Sequence, residues 1–269
     1  MQVMKHLHTL LLTVVLMTAN FAVAAEPSLE LDVGATQQHL TRSQLLANPA
    51  VRSIEVPVDV AYHRSMLYRA VPLAALIHNL PPDGSVQFMA TDGFVANIPA
   101  KVLLGAGQPW LAIETVDIAW PPLKTVGPSA GPFYLVWLTP EKGAVSPEQW
   151  PYQISKISLV PSLESRYPQI QPKASVVAEQ RGLHVYTANC ASCHPINGGG
   201  DAAVGPDLNR PYSPTEYFQE SFLRKLIRNP AAVRNWGQRA MPGFSPDVLS
   251  EAQVDDLLAY LRQMAKQRE

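Results

Sequence analysis

The chain has 269 residues, a formal net charge of −1, 47% hydrophobic and 16% charged residues, a composition that suits globular folding and excludes extended disorder. Acidic and basic residues are interspersed with no polybasic run, which argues against a nucleic-acid partner or an anionic membrane surface. The length accommodates two ordinary domains, and the 25 prolines, roughly twice the usual share of about 5%, favour turns and short strands over a helical bundle.

Along the chain, Lys5 precedes an apolar run from Leu10 to Met17 and then the small-residue pattern Ala22-Val23-Ala24. This is the pattern of a secretory signal peptide over residues 1–25. Thr13, Thr18 and Asn20 interrupt the stretch, which falls short of the ~20 apolar residues a membrane anchor needs. No later segment is long and apolar enough to span a bilayer, so the expectation after cleavage is a soluble periplasmic protein with no integral membrane segment. That compartment permits disulfides, yet the only two cysteines, Cys190 and Cys193, stand three positions apart.

Residues 26–165 read as short strands with a few short helices, an α+β domain with a mixed sheet. Strands are expected at Ser53–Val60, Val86–Thr91, Phe94–Ile98, Leu111–Val116, Phe133–Leu138 and Ile154–Val160, most of them rich in β-branched and aromatic residues. Asp92-Gly93 predicts a two-residue hairpin turn in which both central residues take positive φ. Thr41 with Gln44 forms a capping box for one short helix, and Pro72 in a first-turn position begins another that runs through Ile77. The run from Pro161 to Pro172, PSLESRYPQIQP, has three prolines and no sustained period. It predicts a semi-rigid extended linker, residues 166–174, at about 3.1 Å per residue.

Residues 175–269 change period and read as helical. A helix is expected from about Val176 to Ala188. Ser213-Pro214-Thr215-Glu216 is a capping box with proline at the first helical position, opening a helix that stops before Asn229-Pro230. Ser250 with Gln253 is a second box, followed by Val254, Leu257, Leu258, Leu261 and Met264 at helical spacing.

The chemistry lies in Cys190-Ala191-Ser192-Cys193-His194. Two cysteines at this spacing serve a redox dithiol, half a zinc site or a haem attachment. The adjacent histidine decides for haem: each thiol adds across one vinyl group, and the imidazole reaches the iron. Structural zinc wants four ligands, for which there is no second cysteine pair, and no thioredoxin-like context surrounds the motif. One covalent haem c is therefore expected, with His194 as one axial ligand. Met241, in the irregular stretch Arg239-Ala240-Met241-Pro242-Gly243-Phe244, is the candidate for the other, with a core role as its alternative. Met264 on the last helix is better explained as core, and His184 is too close to Cys190 in sequence to reach the opposite haem face. Gly198–Gly200 lacks the lysine and hydroxyl of a phosphate loop and reads as a turn near the haem edge. Trp236 covers the porphyrin or belongs to the core.

Over about ninety residues this domain resembles the class I cytochrome c family. Gly182 and Tyr186 match the small-residue and aromatic pair of the family's first helix, which packs on the aromatic of the last helix, here Tyr260 with Leu261. Gly205-Pro206-Asp207-Leu208 resembles the family's proline segment, so the resemblance implies that the Pro206 carbonyl orients His194. Ile227-Arg228-Asn229-Pro230 and the Met241-Pro242 loop complete the likeness, which implies an all-α fold and single-electron transfer.

The first domain resembles the molybdopterin-binding oxidoreductase domain of sulfite-oxidase-like proteins. The likeness lies in the order of Tyr68–Leu76, Thr91–Val95, Gly131–Val136 and Trp150–Ile157. Catalytic members hold molybdenum through a cysteine thiolate, and residues 26–174 contain no cysteine. Molybdopterin is therefore not expected, and the resemblance implies a retained fold that serves docking or ligand recognition. His63, Met66, His78 and Met89 offer copper-type ligands without a recognised spacing, and Asp92 is accounted for as a turn residue. The leading expectation is a periplasmic electron carrier serving a redox protein partner. The alternatives are a haem-bearing enzyme or subunit whose first domain binds substrate or a non-covalent cofactor, and a gas sensor in which Met241 dissociates.

Overall fold

The computed structural model describes residues 25–34, 36–143, 145–173, 176–202, 204–233 and 241–268. The signal-peptide segment, apart from Ala25, and Trp236 lie outside the described residues.

The N-terminal half is built on strands whose alternate residues are buried, the period that a half-covered sheet imposes. In β1 (Ser28–Val33), Leu29 and Leu31 face inward. β2 (Thr36–Thr41) follows and leads directly into α1 (Arg42–Leu46), whose start is fixed by the expected box: Thr41 accepts from Gln44 N, and the Gln44 side chain accepts from Thr41 N. Next come β3 (Arg52–Val56), β4 (Met66–Pro72), β5 (Gly84–Ala90), β6 (Val95–Pro99), α2 (Ala100–Leu103), β7 (Pro109–Ile113), β8 (Phe133–Trp137) and β9 (Ile154–Pro161). They form two sheets. The five-stranded sheet, order β2-β1-β9-β5-β6, is mixed because β1 and β9 run parallel, whereas the four-stranded sheet, order β3-β4-β7-β8, is antiparallel throughout. Phe88, Ile98, Leu111, Phe133, Tyr134 and Trp137 belong to one continuous core.

Several boundaries differ from expectation for local reasons. β3 ends at Val56 because Pro57 has no N–H to donate. The hairpin at Asp92-Gly93 exists, but its loop has three residues: Ala90 N donates to Phe94 O at 2.9 Å, and only Gly93, at φ +91°, takes the left-handed conformation. That is a type I turn closed by a left-handed glycine, the second common hairpin solution. Pro72 ends β4 and caps a single 3-10 turn, Leu73–Ala75, in place of the longer helix.

The expected extended linker is folded. Residues 163–166 form α3 (Leu163–Arg166), and a 3-10 turn covers Pro168–Ile170. Leu163 and Ile170 are buried in the second core, so the segment is an integral layer of the C-terminal half, anchored further by the Tyr260 hydroxyl on Ile170 O at 2.7 Å. The prolines interrupt helical periodicity without preventing burial.

The C-terminal half is helical, with α4 (Val177–Asn189), α5 (Pro214–Tyr217), α6 (Glu220–Arg228), α7 (Pro230–Val233) and α8 (Glu251–Ala265). The helix expected over 213–228 is two helices, because Phe218 (φ −97°, ψ 140°) and Gln219 (φ −63°, ψ 142°) are extended. Both capping boxes form, at Ser213 with Glu216 and at Ser250 with Gln253. Val254, Leu257, Leu258, Leu261 and Met264 of α8 are all in the core. α8 packs closely on α4 at Gly182, where a Cβ would stand 2.1 Å from Asp256 O and 2.5 Å from Tyr260 Cβ. Tyr186 lies 5.5 Å from Tyr260 between ring centroids.

Candidate functional site

α4 delivers the cysteine motif. Cys190 is its C-cap and donates from N to Tyr186 O at 2.8 Å, after which Cys193 N and His194 N both bond Cys190 O, at 3.0 and 2.9 Å. This tight turn brings Cys190, Cys193 and His194 together at the end of one helix. The cysteines are free thiols and half-buried. Burial first, then the nearby Glu148 carboxylate, pushes Cys190 up to about 12 and Cys193 up to about 11. A redox dithiol attacks as thiolate and works through a depressed pKa, so these surroundings oppose that chemistry. Among the described residues no group of three or more histidines, cysteines or carboxylates is placed to hold a metal ion.

His194 is fixed from three sides. Its Nδ1 stands 2.8 Å from Pro206 O, its carbonyl accepts from the Tyr186 hydroxyl at 2.8 Å, and Gly205 N donates to Cys193 O at 2.8 Å. A Cβ on Gly205 would lie 2.3 Å from Cε1 of the imidazole; the glycine is what lets the chain run flush along the ring. Burial lowers the His194 pKa and outweighs the Pro206 bond, which raises it. The ring is thus neutral at neutral pH. With Nδ1–H donated to the carbonyl, Nε2 keeps the lone pair that a haem iron requires.

The loop behind the imidazole is organised by Asp207. Its carboxylate accepts from Asn197 N, Gly198 N, Asn209 N and Arg210 N, at 3.2, 2.7, 2.7 and 3.0 Å. Gly198 and Gly200 sit at φ +71° and +144° in the turn closed by the Ile196–Gly199 bridge. Fully buried Asn209 ties this turn to the last helix through Asn197 Oδ1 and Met264 O, both at 2.7 Å. Met241 is half-buried against the helical core, and its loop is held to the end of α6 by Phe244 N on Ile227 O at 3.0 Å and Arg228 Nη1 on Phe244 O at 3.0 Å. Met264 is wholly buried and His184 is exposed. Two thiols at a helix end, a neutral oriented imidazole, apolar walls and a half-buried thioether fit a covalent haem.

Strand-half residues cover the motif. A 3-10 turn, Pro147–Gln149, is capped by Ser146 with Gln149, and Ser146 Oγ donates to Ala188 O at 2.9 Å, two residues before Cys190. Asp201, beside the glycine turn, accepts from Asn97 Nδ2 of β6 at 2.8 Å, from Arg166 at 2.6 and 2.8 Å, and from the Tyr167 hydroxyl at 2.8 Å. Burial alone would raise Asp201, but these donors and the Arg166 charge hold it below the usual carboxylate range. Asp201, Arg166 and Glu148 were not visible as site residues in the sequence, since each is a lone polar residue without a motif, and Asp207 stands in the Gly205–Leu208 segment without a role assigned to it there.

The remaining candidates do not assemble a second centre. His63 and His78 are exposed while Met66 is buried in the strand core. Asp92 accepts from Phe94 N at 3.0 Å, a turn role. Asp59 is fully buried and accepts from Ala61 N, Tyr62 N, Tyr68 and Tyr134, which offsets only part of the rise that burial imposes on it. Two clefts of about 550 and 630 Å³ share His78 and Asn79 on the strand half.

No helix among the described residues is long and apolar enough to cross a membrane. No curated protein matches the chain. Residues 179–265 match the family model described as Cytochrome c, so the helical C-terminal part is a cytochrome c domain, a haem-based electron-transfer unit that carries iron in covalently bound haem c.

Proposed function

We propose that this chain is a periplasmic monohaem cytochrome that passes single electrons to and from a redox protein partner. Cys190 and Cys193 would form the thioethers, His194 and Met241 the axial ligands, and Pro206 would orient His194 through its carbonyl. The observation that carries this assignment is the 2.8 Å contact between His194 Nδ1 and Pro206 O, directly after the paired cysteines. Bound haem supplies a one-electron iron couple, whose potential is raised when methionine and histidine are the ligands. The protein holds the imidazole neutral and oriented and surrounds the site with apolar side chains.

The strand half, residues 26–165, serves in this proposal as a docking or ligand-recognition module of sulfite-oxidase-like fold without its metal cysteine, and molybdopterin has no thiolate there. The second reading, a haem-bearing enzyme or subunit, is favoured by the clefts beside His78. Metal analysis of natively purified protein separates the two: iron alone supports the carrier, and stoichiometric molybdenum or copper supports the enzyme. For the ligands, Met241→Ala is expected to keep covalent haem while losing the sulfur-to-iron charge-transfer band of the oxidised protein. Retention of the band would remove Met241 from the assignment.

A further inference from the structure

The strand half holds a buried carboxylate and a row of touching aromatic rings that the electron-transfer site has not used. Tyr152 is the outer end of the row and is 37% exposed. Its ring centroid lies 6.2 Å from that of Tyr134, Tyr134 lies 6.0 Å from Tyr68, and Tyr68 lies 4.9 Å from Trp120, each pair meeting edge to face. Trp150 adds a branch 6.2 Å from Tyr134. These are contact separations for aromatic pairs, and rings in contact form a path along which an electron vacancy can pass.

Asp59 stands at the inner end of the path. It is wholly buried, and no cation is paired with it among the described residues: Oδ1 accepts from Ala61 N and Tyr62 N at 2.9 and 2.8 Å, and Oδ2 accepts from the Tyr68 hydroxyl at 2.8 Å. Two main-chain N–H groups only donate, so they fix this side chain as an acceptor. An apolar pair of the same shape would fill the space without the penalty of burying a charge, so packing alone does not account for the Asp59–Tyr68 pair. The Tyr134 hydroxyl stands farther off, 3.4 Å from Oδ1, which leaves Tyr68 as the phenol of the path within the reach of about 2.6–3.2 Å that proton transfer needs. Burial, and then the Asp59 charge, push the Tyr68 and Tyr134 phenols far above their ordinary range, so both are neutral at rest.

We propose that this row is a one-electron oxidation site of the strand half: a small diffusible oxidant of the oxygen-radical class takes an electron at the exposed edge of Tyr152, and the vacancy comes to rest on Tyr68, whose hydroxyl proton passes to Asp59. The oxidant gains one electron and becomes its anion. Tyr68 supplies that electron through Tyr134 and Tyr152, and its O–H bond breaks. The proton forms a new O–H bond on Asp59 Oδ2, which leaves a neutral tyrosyl radical beside a neutral carboxyl group. The core thereby loses its one buried negative charge, whereas a vacancy resting on Tyr134, Trp150 or Trp120 would leave a buried cation with no base at this distance. This chemistry is separate from that of the haem site.

The test is photo-oxidation of the natively purified full chain, oxidised beforehand, by flash-generated tris(bipyridine)ruthenium(III), followed by electron paramagnetic resonance. The wild type should give a long-lived radical signal that narrows when the tyrosine rings are deuterated, with a coupling to one exchangeable proton that disappears in heavy water. Tyr68→Phe keeps the ring and should lose the long-lived signal. Asp59→Asn should shorten its lifetime, because the proton then has no base to receive it, and Tyr152→Leu should lower its yield by interrupting the path at the surface. No long-lived tyrosyl signal in the wild type, or an undiminished one in Tyr68→Phe, overturns the proposal. If the buried variants do not accumulate, the exchangeable-proton coupling of the wild type and the yield in the exposed Tyr152→Leu variant decide, and a missing coupling or an unchanged yield is equally fatal.

Discussion

Replacing Gly182 by alanine sets two physical effects against each other at the contact on which the helical half is built. Helix propensity alone predicts a gain of about 1 kcal/mol, since Gly182 lies inside α4. The structure predicts the reverse. The new Cβ would lie 2.1 Å from the Asp256 carbonyl oxygen and 2.5 Å from Tyr260 Cβ, and neither atom belongs to a flexible chain end. Restoring the 3.4 Å of ordinary contact requires α4 and α8 to part by more than an ångström. That separation loosens the Tyr186–Tyr260 contact and the turn that presents His194. Overpacking costs about 1–3 kcal/mol, and a backbone obstacle places this case near the upper end, so the net loss after the propensity gain is about 2 kcal/mol. With a urea slope of about 1–3 kcal/mol per molar, the midpoint of the helical half should fall by about 1 M, followed by haem absorbance and helical ellipticity on the haem-loaded full chain. A variant as stable as the wild type, or more stable, would refute the claim that this glycine is required by close approach.

Two further outcomes follow from the same geometry. Gly205→Ala should drive the imidazole off Pro206 O, because its Cβ would lie 2.3 Å from the ring; absorption spectra should show a low-spin haem fraction clearly reduced, and an unchanged spectrum would separate Gly205 from ligand orientation. At the junction, the folded pKa of Asp201 lies below its unfolded value near 3.9. Its contribution is therefore complete above about pH 4 and lost as pH falls through the folded pKa. Asp201→Asn should mimic the acid state at pH 7, with faster hydrogen exchange in residues 94–99 and 163–171; unchanged exchange there would mean that the Arg166 pair does not hold the halves together.

What the sequence made legible was local. The capping boxes at Thr41, Ser213 and Ser250 need only residues three apart, and all three form. The cysteine motif is five consecutive residues, and the apolar stripe of α8 is a single period. β2 escaped because Thr36-Gln-Gln-His-Leu-Thr41 is polar and shows no strand period, whereas β1 and β4 escaped although Leu29 and Leu31, and Met66, Tyr68 and Ala70, recur at the period of two. Their pairing comes from neighbours distant in sequence, as in the parallel register of Leu31 with Ile157. β8 shows the same limit from the other side. Its five residues are all buried although it ends its sheet, because residues 150–153 cover that edge, with Leu135 N donating to Pro151 O at 3.0 Å.

The junction was the least legible part, and it changes what the strand half can do. A proline-rich tether would let a docking module swing at a distance from the haem, and Pro161–Pro172 invites that picture. Leu163 and Ile170 remove it by burying themselves in the helical core, while Arg166 binds Asp201 on one side and Asn97 on the other, the latter at 2.8 Å. Each of these residues is unremarkable in sequence, since an arginine among prolines is ordinarily a solvated linker residue. Brought together, they fix the strand half over the cysteine side of the cytochrome domain. On that side Asp92, Glu148 and Tyr152 are gathered near Cys193. In the proposed docking role of the strand half, partner recognition and the surroundings of the cysteine motif share this junction, and a substitution there should alter both together.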